Sequence, residues 1–429
     1  MKTIFAVSSG RPPAAIAIVR VSGSAAPNAA RALTGRLPAP RVASLCRIRH
    51  PRSRELIDQA LVLYFPGPQT ATGEDLVEFH LHGGRAVIRA VEAALSEIPD
   101  LRLAEPGEFT RRALENGRID LSEAEALGDL LIAETEAQRR SALANVEGAV
   151  RRLVRGWAAD LVQLSADVEA AIDYEDEVDH AADEHMFVRT VQGRIATIAD
   201  EIERTLAQPP VERLRDGIRV VLAGPPNSGK SSLINALAAR DAAIVSPIAG
   251  TTRDRIEVPV VRKGVAWLLI DTAGLGETED PVEADGIGRS HDALRAADLI
   301  LWLGDACPPS FDAPVIEVHA RSDLPGREAM PPGRVAVSAL TGDLVDLWEA
   351  MAARADTLLP SLDAISLNRR QRALATAAAQ SLSDGFAVDD MLLIAEHLRS
   401  ARRQLDAISG TAGVEEMLDA LFSTFCLGK

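Results

Sequence analysis

Aromatic side chains are scarce in this chain: four Trp, two Tyr and nine Phe, or 3% of 429 residues. A core poor in large rings rests on Ala, Leu, Val and Ile, which suits helices and parallel sheets better than an aromatic-rich β-sandwich. Cysteine is nearly absent too. Cys46, Cys307 and Cys426 lie far apart and form no CxxC pair, which argues against a disulfide framework or a zinc site. No apolar run approaches the roughly 18 residues of a membrane span. The opening run, residues 1–7, is too short for a signal peptide and is followed by Arg11-Pro12-Pro13. Basic residues are outnumbered, 46 Lys and Arg against 62 Asp and Glu, for a net charge of −16. That total argues against an unaided nucleic-acid binder. These absences together describe a cytoplasmic protein with no membrane partner, and the length predicts two or three domains.

Residues 1–119 carry short β-type runs at 15–21, 60–65 and 75–82. The second stops at Pro66-Gly67-Pro68 and the third at Gly83-Gly84, while 86–98 has helical spacing. This alternation predicts a compact α/β or α+β domain. From Leu121 the texture changes. Ser122 and Glu125 fit a capping box, and a proline-free Ala/Leu/Glu/Arg stretch to residue 172 predicts one long helix. An acidic loop (173–179) precedes a second helical stretch (185–206), which Pro209-Pro210 ends. Helical texture returns after Pro360, over 368–408 and 414–425. The expected organisation is therefore a helical domain in two pieces, 120–214 and 358–429, with another domain, 215–357, inserted into it. Within the insert, runs at 218–223, 267–270, 299–303, 315–318 and 335–337 alternate with helical stretches. They predict a mainly parallel sheet with helices on both faces.

The run from Gly224 to Ser231, Gly-Pro-Pro-Asn-Ser-Gly-Lys-Ser, fits G-x-x-x-x-G-K-[ST] between a strand and an apolar helix. Backbone N–H groups of Asn227, Ser228, Gly229 and Ser232 can wrap phosphate oxygens at the helix N-terminus. Lys230 would reach the β and γ oxygens, and Ser231 would hold Mg²⁺. Asp271-Thr272-Ala273-Gly274 lies 41 residues after Lys230, at a strand end. Asp271 suits a water-mediated Mg²⁺ contact, and the Gly274 N–H a γ-phosphate. Between them, Gly250-Thr251-Thr252 offers a threonine hydroxyl, Thr252, that completes Mg²⁺ coordination only in the triphosphate state, which makes it a switch. Three such elements in order point to GTP.

These segments resemble the MnmE (TrmE) family of bacterial tRNA-modification GTPases. The resemblance rests on residues 224–232, 243–254 and 271–275. It rests also on the amino-terminal blocks Tyr64-Phe65-Pro66, Thr72-Gly73-Glu74-Asp75, His82-Gly83-Gly84 and 104–113, and on the ending Phe425-Cys426-Leu427-Gly428-Lys429. It covers the chain in one order. It implies a multidomain α/β fold: an N-terminal α+β folate-binding and dimerisation domain, then a helical domain interrupted by a Ras-like P-loop G domain. It implies a potassium-activated GTPase that acts as a homodimer. With the FAD-dependent partner MnmG (GidA), it would add an aminomethyl or carboxymethylaminomethyl group at C5 of the tRNA wobble uridine. A ribosome-assembly GTPase of the Era/EngA type is the alternative reading, although no G-x-x-G KH loop follows the G domain. A dimeric switch protein without an enzymatic role is a third.

The resemblance also implies site residues. The position after Asp-x-x-Gly, where Ras-like GTPases place glutamine, is Leu275, so Glu283 would position the attacking water. Potassium would replace an arginine finger, held by Asn227 and by a loop containing Ser246, Ile248 and Thr251. That loop, with Pro247, Ala249 and Gly250, would close over the nucleotide; Pro247 stands where the family often has an acid. Arg20, Glu78 and Arg118 match the contacts of a 5-formyltetrahydrofolate-type one-carbon donor, Lys429 would reach it, and Cys426 matches the tail cysteine, with a redox or nucleophilic role. His80 and His82 share a strand face, with no third metal ligand evident.

One departure concerns the base. GTPases usually read guanine with Asn-Lys-x-Asp, and here the segment is Ala320-Arg321-Ser322-Asp323. Asp323 can accept from guanine and Arg321 can stack on it, but Ala320 replaces the asparagine. Ser338, Ala339 and Leu340 fit the last base-contacting loop. Charge is also unevenly spread: net +5 over 1–119, −12 over 120–214, −7 over 215–357 and −2 over 358–429. The one basic region is the expected folate domain, which could also face tRNA, with the partner holding most of the tRNA.

Overall fold

The computed structural model describes residues 2–174, 181–241, 257–272, 292–327, 329–361, 364–410, 421–422, 425 and 428. The chain divides into two compact units: residues 1–128 with 409–429, and residues 129–408.

The first unit is built on a six-stranded sheet in the order β3-β4-β5-β2-β1-β6. Its strands are β1 (Thr3–Val7), β2 (Ile16–Ser22), β3 (Ser44–Arg49), β4 (Leu56–Phe65), β5 (Leu76–His82) and β6 (Leu101–Leu103). All neighbours run antiparallel except β1 and β6. The period-2 alternation decides which face is buried. On β5, Val77, Phe79 and Leu81 point inward, leaving Glu78 and His80 half-buried on the other face. Helices α1 (Ala26–Thr34) and α2 (Arg85–Ser96) supply Ala26, Ala29, Ala30, Leu33, Val91 and Leu95 to the same core. A short helix, α3 (Glu108–Glu115), follows. Phe422 and Phe425 pack with Ala124, and the Ser8 hydroxyl donates to the Gly428 carbonyl at 2.7 Å, so the tail is stitched onto this unit.

The expected long helix is broken into three: α4 (Leu121–Ile132), α5 (Glu136–Val146) and α6 (Ala149–Tyr174). Side-chain caps and a glycine cause the breaks. Thr135 and Gln138 form a reciprocal capping box that starts α5, and Gly148, at φ +82°, separates α5 from α6. The capping box read at Ser122 and Glu125 is also corrected. Asp120 accepts the Glu123 N–H at 2.9 Å while Glu123 accepts the Asp120 N–H at 2.8 Å, two residues earlier. A carboxylate at the N-cap competes better than a serine inside the first turn.

In the second unit, α6 packs with α7 (Ala181–Leu206), α11 (Arg369–Phe386) and α12 (Met391–Ser409). Trp157, Leu161 and Leu164 share one apolar core with Ile195 and Ile202 of α7, Ala375, Ala378 and Leu382 of α11, and Ile394, Leu398 and Leu405 of α12. Alanines on α11 allow close helix approach, so few rings are needed. The four-residue helix α8 (Glu212–Arg215) leads into the second sheet, of order β12-β11-β10-β7-β9-β8. Its strands are β7 (Ile218–Ala223), β8 (Glu257–Arg262), β9 (Val265–Asp271), β10 (Leu299–Trp302), β11 (Val315–Ala320) and β12 (Val335–Val337). All pairs are parallel except β8 with β9. Helices α9 (Lys230–Asp241) and α10 (Val345–Leu358) cover it. From Val220 to Ala223, central β7 is buried on both faces and reads as a continuous apolar run, as parallel strands do.

Candidate functional site

Ligands of open parallel sheets gather at the carboxyl ends of the strands. Here β7 ends at Ala223, β9 at Asp271 and β11 at Ala320, and the loops after them surround two adjoining cavities. The first, about 360 Å³, is lined by Asn227, Ser228, Gly229, Lys230, Ser231, Ser232, Asp271, Thr272 and Arg321. The second, about 600 Å³, shares Gly229, Ser232 and Arg321 and adds Ala320, Asp323, Val337, Ala339 and Leu340.

The turn from β7 into α9 adopts left-handed backbone at Asn227 (φ +59°) and Gly229 (φ +99°). The glycine takes its angle without strain. Lys230 is 6% exposed, and its ammonium donates to the carbonyls of Gly224 (3.1 Å) and Pro225 (3.0 Å). Burial pulls its pKa below the ordinary lysine value, with the Asp271 carboxylate opposing that shift. A buried cation held by carbonyl dipoles at a helix N-terminus suits a phosphate receptor.

Asp271 accepts the Ser231 hydroxyl on Oδ2 at 2.6 Å, whereas its Oδ1 is buried with no hydrogen-bond partner among the described residues. Thr272 anchors the strand end by donating to the Leu222 carbonyl at 2.6 Å. A hydroxyl beside a buried, half-satisfied carboxylate oxygen is a donor set that suits a hard divalent cation. The Ser228 hydroxyl is also buried, with no hydrogen-bond partner among the described residues.

At the second cavity, Ser338 donates to Oδ1 of Asp323 at 2.6 Å and accepts the Thr341 N–H at 3.1 Å. Arg321 has left-handed backbone, φ +60°, and its guanidinium donates to the Asn227 carbonyl, joining this loop to the phosphate loop. Neither the Ser338–Asp323 bond nor the Arg321–Asn227 bond was foreseen from the sequence. Each links separate motifs, and only their shared cavity brings them together.

In the first unit, Arg20 and Glu78 are direct cross-strand partners of β2 and β5, ion-paired at 2.9 Å. His80 meets the second Glu78 oxygen at 3.2 Å, and His82 meets Asp58 at 2.7 Å. Among the described residues no group of three or more His, Cys, Asp or Glu could hold a metal ion. Arg118 is engaged elsewhere, donating to the Thr70 carbonyl at 3.0 Å. Glu283, Ser246, Pro247, Ile248, Ala249, Gly250, Thr251, Thr252, Ala273, Gly274, Cys426 and Lys429 lie outside the described residues. A buried cluster missed from the sequence is Arg112, 3% exposed, which contacts Glu74 (2.9 Å), Glu108 (3.0 Å) and the Lys2 carbonyl (2.7 Å). No residue type in isolation signals it: Glu108 is one turn earlier on α3, but Glu74 and Lys2 lie far along the chain.

A mainly parallel sheet with a P-loop, a strand-end aspartate beside the P-loop serine, and an Asp323 loop at an adjoining cavity define a P-loop GTPase G domain. Residues 3–118 match the family model described as GTP-binding protein TrmE N-terminus, and residues 121–426 match that of the MnmE helical domain. A protein of Zymomonas mobilis subsp. mobilis named tRNA modification GTPase MnmE is 50% identical over 434 residues, spanning 100% of both chains. One of Erythrobacter litoralis with the same name is 51% identical over 433 residues, again over 100% of both. The chain belongs to the MnmE family of tRNA modification GTPases. Among the described residues no helix is long and apolar enough to cross a membrane.

Proposed function

We propose that this GTPase acts at carbon 5 of the tRNA wobble uridine. With an FAD-dependent partner of the MnmG (GidA) type it would add an aminomethyl or carboxymethylaminomethyl group, working in the cytoplasm as a homodimer. GTP hydrolysis would rearrange the complex and would not itself make the carbon–carbon bond. The observation that carries the hydrolytic part is the pairing of Ser231 with Asp271 beside the buried Lys230. The full-length match to named relatives supports the rest.

In this reading Asn227, Ser228, Gly229, Lys230 and Ser232 hold the phosphates. Ser231, with Thr252, would carry Mg²⁺, whose chemistry is to neutralise charge on phosphoryl oxygens. Asp323, Arg321, Ser338, Ala339 and Leu340 surround the base. Glu283 would orient water. Asn227, Ser246, Ile248 and Thr251 would hold K⁺, which supplies the positive charge an arginine finger supplies elsewhere. Arg20, Glu78, Arg118 and Lys429 would bind a one-carbon folate, with Cys426 nearby. The proposed division is residues 1–119, 120–214, 215–357 and 358–429, as the composition suggests.

Mass spectrometry of wobble uridine from a deletion strain tests the proposal. The modification should vanish, return with the unsubstituted gene, and stay absent with Lys230→Ala. Normal modification in the deletion strain would overturn it. Hydrolysis at equal rates in K⁺ and Na⁺ would remove the potassium assignment alone.

A further inference from the structure

We infer that the base subsite reads guanine on its N1–H and 2-amino edge and leaves N7 unread, a specificity set by Ala320. The inference rests on the placement of the guanine base in the cavity that holds Asp323.

Guanine presents two kinds of edge. N7 and O6 accept hydrogen bonds, while N1–H and the 2-amino group donate them. An ionised carboxylate only accepts. Asp323 therefore meets the donating edge, and the Ser338 hydroxyl on its Oδ1 fixes its rotamer. Backbone N–H groups of the Ala339–Leu340 turn can serve O6. Reading N7 needs one more donor.

The wall that should supply it is apolar. Ala320 ends β11, is 6% exposed, and pairs in register with Val337 of β12. A methyl group donates nothing. Arg321 carries donors, yet its left-handed backbone and its bond to the Asn227 carbonyl direct the guanidinium toward the phosphate loop. In that position its plane is suited to cover the face of a base rather than its edge. Two further polar residues of the cavity wall, Ser232 and Asn235, come from α9; Ser232 also lines the phosphate cavity, and any donor that Asn235 brings to N7 would show as a loss in the 7-deaza-GTP comparison below. Affinity lost at N7 is offset by stacking, which does not distinguish one purine atom from another.

The test is competition binding to the full-length chain, with GTP, 7-deaza-GTP and ITP displacing a fluorescent guanine nucleotide. 7-Deaza-GTP replaces N7 by a C–H, and ITP lacks the 2-amino group. 7-Deaza-GTP should bind within about twofold of GTP, whereas ITP should bind roughly tenfold or more weakly, because its loss falls on a charged acceptor. Ala320→Asn should create a preference of about three- to tenfold for GTP over 7-deaza-GTP. The unsubstituted chain carries the decisive comparison even where that variant fails to fold. A loss of about fivefold or more for 7-deaza-GTP, alongside the ITP loss, would overturn the inference and leave the site assignment standing. Equal binding of ITP and GTP would overturn the assignment of Asp323 to the base, and the inference with it.

Discussion

Ser338 holds Asp323 by a 2.6 Å hydroxyl–carboxylate bond across 15 residues of sequence. Ser338 is 1% exposed, so its hydroxyl is enclosed by protein. Ser338→Ala frees the carboxylate to rotate. It should weaken GTP binding by about three- to tenfold, as loss of one oriented hydrogen bond does. Equilibrium binding measures this, and unchanged GTP affinity would show that Asp323 is oriented by other contacts.

Asp271→Asn keeps the size of the side chain and removes its charge. The Ser231 hydroxyl loses its charged acceptor, and the buried Oδ1 no longer attracts a cation. The Mg²⁺ concentration for half-maximal hydrolysis should rise by roughly tenfold or more, the usual scale for losing a charged contact. A magnesium titration of GTP hydrolysis decides it. An unshifted midpoint would place the metal away from Asp271.

Glu108 predicts an acid limb of stability for the first unit. Burial works against its charge, but Arg102 (2.8 and 2.6 Å), the Glu105 N–H (2.9 Å) and Arg112 (3.0 Å) outweigh it, holding the carboxyl below its ordinary 4.5. Since the folded value is depressed, its contribution is fully present above the unfolded pKa and is lost as pH falls through the folded one. Arg102→Met should therefore move the start of acid unfolding to higher pH. Circular dichroism melts across acidic pH report the shift, and superimposed acid limbs would refute it.

Gly107 stands at φ +69°, and a Cβ there would lie 2.6 Å from the Phe422 carbonyl oxygen. Alanine would strain the backbone and press on the tail at once. Gly107→Ala should release the segment containing Phe422 and Phe425, raising its proteolysis rate and lowering thermal stability by roughly 1–3 kcal/mol. Equal protease resistance in the two chains would show that the tail yields without detaching.

The phosphate site was legible because its signals are local. Residues 224–231 need only a strand before them and a helix after them, and β7 and α9 provide these. Asp271 followed from motif order, since β9 is the direct neighbour of β7. Strand β8 was missed. Pro259 breaks its β signature, and an edge position tolerates the missing donor. The helix ends at Thr135 and Gly148 were hidden in a stretch without proline, where threonine and glycine are weak stops. The Ser8–Gly428 and Arg112–Lys2 contacts span 420 and 110 residues, and no local pattern encodes them.

The tail seated on the first unit also orders the protein's assembly during synthesis. Residues 1–128 leave the ribosome before residues 409–429 of the same unit, which follow roughly 280 residues later. At about 5–20 residues per second that interval is roughly 15–60 seconds. The surfaces that receive Phe422, Phe425 and Gly428 lack those partners on the nascent chain for that interval, so the unit of residues 1–128 is completed only after residues 129–408 have been made.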